Sequence, residues 1–217
     1  MTLKLYYHPL SSFCWKVLIA LYEKDIPFEP VLVDLQDAAA REKFLKLWPI
    51  GKFPVIRDEA RDWLAPESTI IIEYLDRHYP GRKQLIPSDP DLARQARMRD
   101  RFFDLHVQEP MQKIVGDRIR PDGGKDPFGV AEARARLKTA LGMIEADIGA
   151  RWIMGEEFTL ADCAAMPALF YADKVSPLKG RFDKTLAYLE RLKTRPAVAR
   201  TLKEAEPYMR MFPEEKP

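Results

Sequence analysis

The chain has 217 residues, of which 47% are hydrophobic and 31% are charged, a balance that is typical of globular proteins and excludes long disordered or collagen-like segments. Its 35 Lys and Arg residues nearly balance 33 Asp and Glu residues, and the formal net charge of +2 does not favour nucleic acid or an acidic surface as a partner. At roughly 150 residues per domain, the length predicts one large domain or two small ones.

Strand-like and helical segments alternate over residues 1–80. The apolar side chains of the segment 13–24 recur at helical spacing, whereas the segment at residues 3–7 is β-rich. In chain order the sequence predicts a strand at 3–7, a helix at 13–24, a strand at 28–35, a helix at 38–47, two short strands at 54–57 and 62–65, and a helix at 69–78. This order predicts a thioredoxin-like α/β domain with a mixed sheet and helices on its faces.

The strand signal ends near residue 80. Residues 81–90 are rich in turn formers and predict a linker, and residues 91–217 predict a second, all-helical domain. Its helical segments are expected at 91–118, 130–149, 159–174 and 183–204. The fold class is therefore α/β followed by all-α.

Two cysteines, Cys14 and Cys163, are too few for a disulfide framework and favour the reducing cytoplasm. A histidine and a proline at positions 8 and 9 interrupt the start too early for a signal peptide, and no run reaches 18 apolar residues, so no membrane association is expected. The three histidines lack metal-ligand spacing, and no metal is expected.

The first candidate site is Pro9-Leu10-Ser11-Ser12-Phe13-Cys14, in the turn between the first strand and the first helix. A helix N-terminus presents free N–H groups and the positive end of the helix dipole, which stabilise anions such as a thiolate. A serine hydroxyl there can donate to a sulfur anion. The alternative is that Ser11 or Ser12 only caps the helix, and the residues alone do not decide between the two.

Two further candidates follow in the chain. Pro54 directly precedes a short strand, and local sequence favours a trans Phe53–Pro54 bond. Glu67 and Ser68 open a helix, where the hydroxyl can cap the helix or bind a carboxylate and the acid can hold an ammonium group. Taken singly, each of these is also an ordinary strand entry or helix start.

A structural motif is predicted in the second half. Thr159 and Asp162 have the spacing of a capping box, with Phe158 available as a hydrophobic staple. This pair is assigned to folding rather than to chemistry.

Together these segments resemble the glutathione transferase family, and the resemblance covers essentially the whole chain. It rests on the serine-containing turn, on Trp48-Pro49-Ile50-Gly51-Lys52-Phe53-Pro54, on Glu67-Ser68, on the helical second domain and on Phe158-Thr159-Leu160-Ala161-Asp162. The resemblance implies a cis bond before Pro54, glutathione as co-substrate, a backbone contact from Phe53 to its cysteinyl part, Glu67 and Ser68 at its γ-glutamyl end, and Lys52 near the ligand.

The turn is most similar to that of the theta and zeta classes, where a serine matching Ser11 activates the sulfur. Tyr7 and Ser12 remain alternatives for this role, because Tyr7 also matches the catalytic tyrosine of other classes. The electrophile pocket is expected to use apolar side chains from both domains: Leu10, Phe13, Phe103, Met111 and Phe212.

The function implied is transfer of glutathione, as its thiolate, to an apolar electrophile. The alternatives are another glutathione-dependent enzyme, such as a maleylacetoacetate-type isomerase, a dehalogenase or a peroxide reductase, or a non-catalytic binding module. A homodimer is implied as well. Arg94, Arg97 and Arg101 share one helical face, which is either solvated or a dimer contact.

Overall fold

The computed structural model describes residues 3–149 and 151–215. The described residues do not include residue 150, nor residues 1–2 and 216–217 at the ends of the two expected domains. Among the described residues, no helix is both long and apolar enough to cross a bilayer.

A four-stranded mixed sheet forms the first half of the molecule. Its strands are β1 (Leu3–Tyr7), β2 (Glu29–Leu32), β3 (Val55–Asp58) and β4 (Trp63–Pro66). They lie in the order β2-β1-β3-β4, with β1 and β2 parallel and the other pairs antiparallel. The helices of this half are α1 (Ser12–Lys24), α2 (Ala38–Leu47) and α3 (Ser68–His78). The predicted α/β half is therefore confirmed.

The second half is helical. It contains α4 (Pro90–Phe102), a π-helical segment (Phe103–Gln108), α5 (Glu109–Arg118), α6 (Pro127–Asp147), α7 (Leu160–Val175), α8 (Asp183–Lys193) and α9 (Pro196–Ala205). Pro90 belongs to α4 rather than to the linker, because Asp89 caps this helix and proline suits its first position.

The prediction of a single helix over 183–204 is wrong, because the helix is interrupted between α8 and α9. Arg195 is extended, with φ −72° and ψ 136°, since the residue before a proline is disfavoured in the α region. Pro196 then starts α9.

Helix α1 is buried between the sheet and the helical half. The Trp15 ring packs at 5.0 Å from Phe170 and 5.2 Å from Tyr171 of α7, measured between ring centroids, and its indole N–H donates to the Pro9 carbonyl at 2.6 Å. One continuous core of buried side chains therefore joins the two halves through this helix.

A charged side chain also crosses this boundary. Lys16 of α1 is only 1% exposed, and its Nζ lies 2.8 Å from Asp100 Oδ1 and 2.7 Å from Asp104 Oδ2. Burial raises the pKa of Asp104, and the neighbouring Lys16 opposes that shift. The two aspartates neutralise a cation that α1 could not otherwise bury.

The predicted capping box is formed at the start of α7. The Thr159 N–H and hydroxyl donate to Asp162 Oδ2, and the Ala161 N–H donates to the Thr159 hydroxyl. The other carboxylate oxygen accepts from the Ile153 N–H at 3.0 Å and the Tyr188 hydroxyl at 2.6 Å. Burial raises the pKa of Asp162, and these hydrogen bonds oppose that shift.

Replacing Asp162 by Ala is expected to lower the free energy of unfolding by about 3–5 kcal/mol, because several buried donors lose their acceptor at about 1–3 kcal/mol each. Equilibrium unfolding in urea measures this. The matched control is Tyr188→Phe, which removes one of these donors and is expected to cost about 1–3 kcal/mol. A loss under 1 kcal/mol for Asp162→Ala would contradict the assignment.

Candidate functional site

Three loops meet at one edge of the sheet because of the strand register. Val55, at the start of β3, pairs with Tyr6 near the end of β1 and with Pro66 at the end of β4. The turn after β1, the loop before β3 and the loop after β4 therefore lie side by side. These are the loops that carry the sequence-predicted site residues.

The Phe53–Pro54 peptide bond is cis. This confirms the expectation drawn from the family resemblance and shows that the trans bond favoured by local sequence is wrong. Pro54 is buried, Phe53 is half-buried, and Lys52 is exposed at the surface beside them.

Ser11 is the N-cap residue of α1. Its N–H donates to the His8 carbonyl at 3.0 Å, and its Oγ accepts from the Cys14 N–H at 3.3 Å. The capping interpretation is therefore realised. It does not use the hydroxyl proton, which remains available to donate at the positive end of the helix.

Ser11 also borders a cavity of about 420 Å³ between the two halves of the molecule. Of the residues predicted for the electrophile pocket, Leu10, Met111 and Phe212 line it, together with Ser12 and Phe53. The cavity thus brings the serine turn, the loop before β3 and the helical half together.

Phe13 and Phe103 do not line this cavity, contrary to expectation. The Phe13 ring lies one position further around α1, 5.9 Å from Lys16 Nζ. The π-helical segment that begins at Phe103 shifts the helix register before Met111, and Phe103 turns into the core, where it is 1% exposed.

Tyr7 faces a different space. Successive strand side chains point to opposite faces of a sheet, and Tyr7 borders a second cavity of about 530 Å³ that is also lined by Tyr22 and Glu204. Burial raises the pKa of the Tyr7 hydroxyl. Its position therefore does not favour contact with a ligand held at Ser11.

Two cavity residues were missed by the sequence reasoning. Gln108 donates from Nε2 to the Ser12 Oγ at 2.6 Å, and the Tyr171 hydroxyl donates to the Leu10 carbonyl at 2.8 Å. Gln108 could have been found from Met111, because residues three apart share a helix face. Tyr171 has no such signal, since its contact spans 161 positions of the chain.

The C-terminal segment closes one side of the cavity. Phe212 stacks on Tyr171 with ring centroids 5.5 Å apart and an interplanar angle of 24°. Arg118 donates to the Pro213 carbonyl at 3.0 Å, and both Arg118 and Arg134 pair with Glu215 at 2.8 Å. Ionic contacts therefore fix this segment against the helical half.

Glu67 precedes α3 in an unusual backbone conformation, with φ 69° and ψ 114°. A residue with a Cβ costs about 1–3 kcal/mol in such a sparsely populated region, and strain of this kind clusters at functional sites. The side chain is exposed and makes no capping hydrogen bond, whereas Ser68 is buried. A carboxylate is thus presented at the edge next to a helix start.

Cys14 takes no part as a nucleophile. Its side chain is fully buried, and burial raises the pKa of the thiol to about 12. The thiol therefore stays protonated at neutral pH, which argues against disulfide exchange at this turn. The described part of the chain also contains no group of three or more His, Cys, Asp or Glu side chains placed to bind a metal.

The chain is similar to known proteins over most of its length. Residues 5–83 match the family described as "Glutathione S-transferase, N-terminal domain", and residues 127–193 match "Glutathione S-transferase, C-terminal domain". Glutathione S-transferase F6 from Arabidopsis thaliana is 29% identical over 210 residues, which cover 92% of this chain and 99% of that protein. A probable maleylacetoacetate isomerase from Caenorhabditis elegans is 27% identical over 194 residues, 84% of this chain and 87% of the relative.

A solved structure is similar as well. The glutathione S-transferase from Methylobacillus flagellatus, crystallised with glutathione bound, has a TM-score of 0.85 and 25% sequence identity to this chain. The match covers 92% of this chain and 98% of that one.

The backbone of Glu67 generates a stability prediction. Glu67→Gly is expected to be more stable than Glu67→Ala by about 1 kcal/mol, because glycine tolerates a positive φ and alanine does not. Equilibrium unfolding of both variants measures the difference. The control pair, at exposed Glu132 within α6, should show the reverse order by about 1 kcal/mol. Equal stability of the two Glu67 variants would contradict the interpretation that the backbone at this position is strained.

Proposed function

Because this chain belongs to the glutathione S-transferase family, we propose that it binds glutathione along the sheet edge and transfers it, as a thiolate, to an apolar electrophile. The observation that carries the proposal is the convergence of three loops beside one cavity that both halves of the molecule line.

The proposed ligand position follows the sheet edge. Phe53, which precedes the cis bond and lines the cavity, pairs through its backbone with the cysteinyl part of glutathione. Glu67 and Ser68 hold the γ-glutamyl end, the carboxylate of Glu67 facing its ammonium group. Lys52, exposed on the loop before β3, approaches the ligand from the surface. In this position the sulfur reaches Ser11.

The energy needed to ionise the thiol is within reach of these groups. An ordinary thiol of pKa ~8.5 is about 3% ionised at pH 7, and lowering the pKa to ~6.5 requires about 2.7 kcal/mol of preference for the thiolate. A helix N-terminus supplies roughly 0.3–1 kcal/mol, up to about 2. A hydrogen bond from the Ser11 hydroxyl to the charged sulfur supplies roughly 1.5–3 kcal/mol. The chain then needs no separate base.

In the reaction, the thiol proton leaves to solvent and the thiolate attacks an electrophilic carbon. The new C–S bond forms as the bond to a leaving group breaks, or as the π bond of an activated alkene breaks and its second carbon takes a proton. The carbon-rich side chains of Leu10, Met111 and Phe212 favour an apolar substrate. The reducing conditions that keep glutathione and both cysteines as thiols are those of the cytoplasm, where we place the protein.

The first test is the ultraviolet absorbance of the bound thiolate, titrated with pH. The wild type is expected to give a thiolate band with a pKa well below that of free glutathione. Ser11→Ala should raise this pKa by about one unit, since it removes a bond worth roughly 1.5 kcal/mol. Ser11→Thr, which keeps a hydroxyl, serves as the control.

Tyr7→Phe should leave the thiol pKa unchanged, because Tyr7 borders the other cavity. A shift in Tyr7→Phe without one in Ser11→Ala would reassign the role to Tyr7. Absence of glutathione binding by calorimetry would refute the proposed function. Thiolate formation without turnover of any electrophile in a panel of halides, enones and peroxides would leave a binding module instead.

We also propose a homodimer. The arginine face offers little to a partner, because Arg97 pairs with Glu73 of α3 at 2.6 Å and Arg94 with Asp91 at 2.7 Å, both within the chain. Exposed apolar side chains on α3, α4, the π-helical segment and α6 favour a different surface: Ile70, Leu92, Met98, Leu105 and Met143. Burial of such a set against a second copy removes apolar area from water.

Light scattering at micromolar concentration is expected to give twice the mass of one chain. The double variant Met98→Glu, Met143→Glu should give the mass of one chain, because two carboxylates from each copy would be buried unpaired at the interface. The matched control is Met211→Glu, an exposed methionine near the C-terminal end of the described chain, which should remain dimeric. A wild type that scatters as one chain would refute the dimer.

A further inference from the structure

Gln108 connects the helical half to the serine turn. It is the last residue of the π-helical segment and is 2% exposed, and its Nε2 lies 2.6 Å from the Oγ of Ser12, which is 5% exposed. Both residues line the cavity that also holds Ser11. The contact spans 96 positions of the chain, so only the tertiary fold creates it.

This contact fixes what the Ser12 hydroxyl can do. A serine oxygen accepts hydrogen bonds and donates a single proton. Because the amide nitrogen of Gln108 occupies an acceptor position on Ser12, the Ser12 proton cannot return to that nitrogen and must point elsewhere. Ser11 is in the same state, since its Oγ accepts from the Cys14 N–H. Neither of these two contacts uses the hydroxyl proton, so both adjacent hydroxyls can donate at the wall of one cavity.

Burying the Gln108 amide lowers the stability of the folded state. The Oε1 of Gln108 is buried and has no hydrogen-bond partner among the described residues, which destabilises the folded state. An apolar side chain of similar size would avoid that cost. The backbone is also irregular here, because π-helical turns are rare and are frequent at functional sites.

A second contact fixes the alignment of the two helices. Asp104 precedes Gln108 by four residues in the π-helical segment, and Lys16 follows Ser12 by four residues in α1. Asp104 pairs with Lys16 at 2.7 Å, so the two polar pairs lie one turn apart along an antiparallel contact. The buried ion pair thus holds the amide against Ser12.

We propose that Gln108 is a positioning residue for thiol activation: its amide N–H orients the Ser12 hydroxyl so that the Ser12 proton points to the bound sulfur, beside that of Ser11. The inference rests on the proposed function. Hydrogen bonds in such a chain polarise one another, so the amide also makes Ser12 a better donor. Ser12 then touches the sulfur, and Gln108 acts through it.

The test is a double-mutant cycle on the pKa of bound glutathione, read from thiolate absorbance. Gln108→Leu and Ser12→Ala are each expected to raise the ionisation pKa by about half a unit, a threefold change in the ionisation constant, with affinity for glutathione at about pH 6, where the bound thiol is mostly protonated, changed less than twofold. In the Ser12→Ala background, Gln108→Leu should add nothing. Gln95→Leu, at an exposed position of α4, is the control and should leave the pKa unchanged.

Gln108→Glu sharpens the test because it is nearly isosteric. Its carboxylate would accept the Ser12 proton and turn it away from the sulfur, so the thiol pKa should rise further than in Gln108→Leu, and part of that rise should vanish in the Ser12→Ala background. Gln108→Met replaces Gln108→Leu should the latter lower the melting temperature.

Two results overturn the inference. One is an unchanged thiol pKa in Gln108→Leu, or in Gln108→Met where the leucine lowers the melting temperature, which means that Gln108 has at most a structural role. The other is a Gln108→Leu effect that persists in full without the Ser12 hydroxyl. A wild type without any thiolate band is a different outcome, because it refutes the proposed function itself and the inference with it.

Discussion

The burial of Lys16 between Asp100 and Asp104 is the interaction on which the rest of the structure depends. A lysine ammonium group is costly to remove from water, and removing one partner of such a buried pair typically costs about 3–5 kcal/mol. The pair therefore allows only one placement of α1 against the helical half. Since α1 begins at the serine turn, that placement also sets where its N-terminus points.

The sheet supplies the complementary constraint. Strand register brings the loops before β3 and after β4 beside the same N-terminus, and the positive φ of Glu67 is tolerated because the surrounding register over-determines it. The site is thus assembled by long-range contacts between segments that are each ordinary in isolation. Both the stability of the site and the chemistry proposed for it depend on the buried helix α1.

Local signals explain how much of the fold the sequence could predict. The alternation of short strands and helices, the Thr159–Asp162 capping box and the helix start at Ser11 depend on neighbouring residues, and all three form as expected. Pro196 was an available signal for the break between α8 and α9, but the apolar pattern on both sides concealed it. The cis bond at Pro54 is not encoded in the neighbouring residues, and only resemblance predicted it.

The site was less predictable because its walls come from distant segments. Tyr7 and Ser11 are four residues apart, yet the alternation of side chains along β1 sends Tyr7 to another cavity. A π-helical register shift, which no simple periodicity reveals, separates Phe103 from Met111. Gln108 and Tyr171 enter the cavity only through tertiary packing.

The position of the chain ends relative to the cavity has a practical consequence for making reagents from this protein. Phe212 and Pro213 form part of the cavity wall, and Arg118 and Arg134 hold the chain there through Glu215. A purification tag or fluorescent fusion joined after residue 215 would therefore begin beside this cavity. Leu3 instead pairs with Asp58 at the opposite end of the strands. The same tag joined ahead of residue 3 would therefore lie away from the cavity.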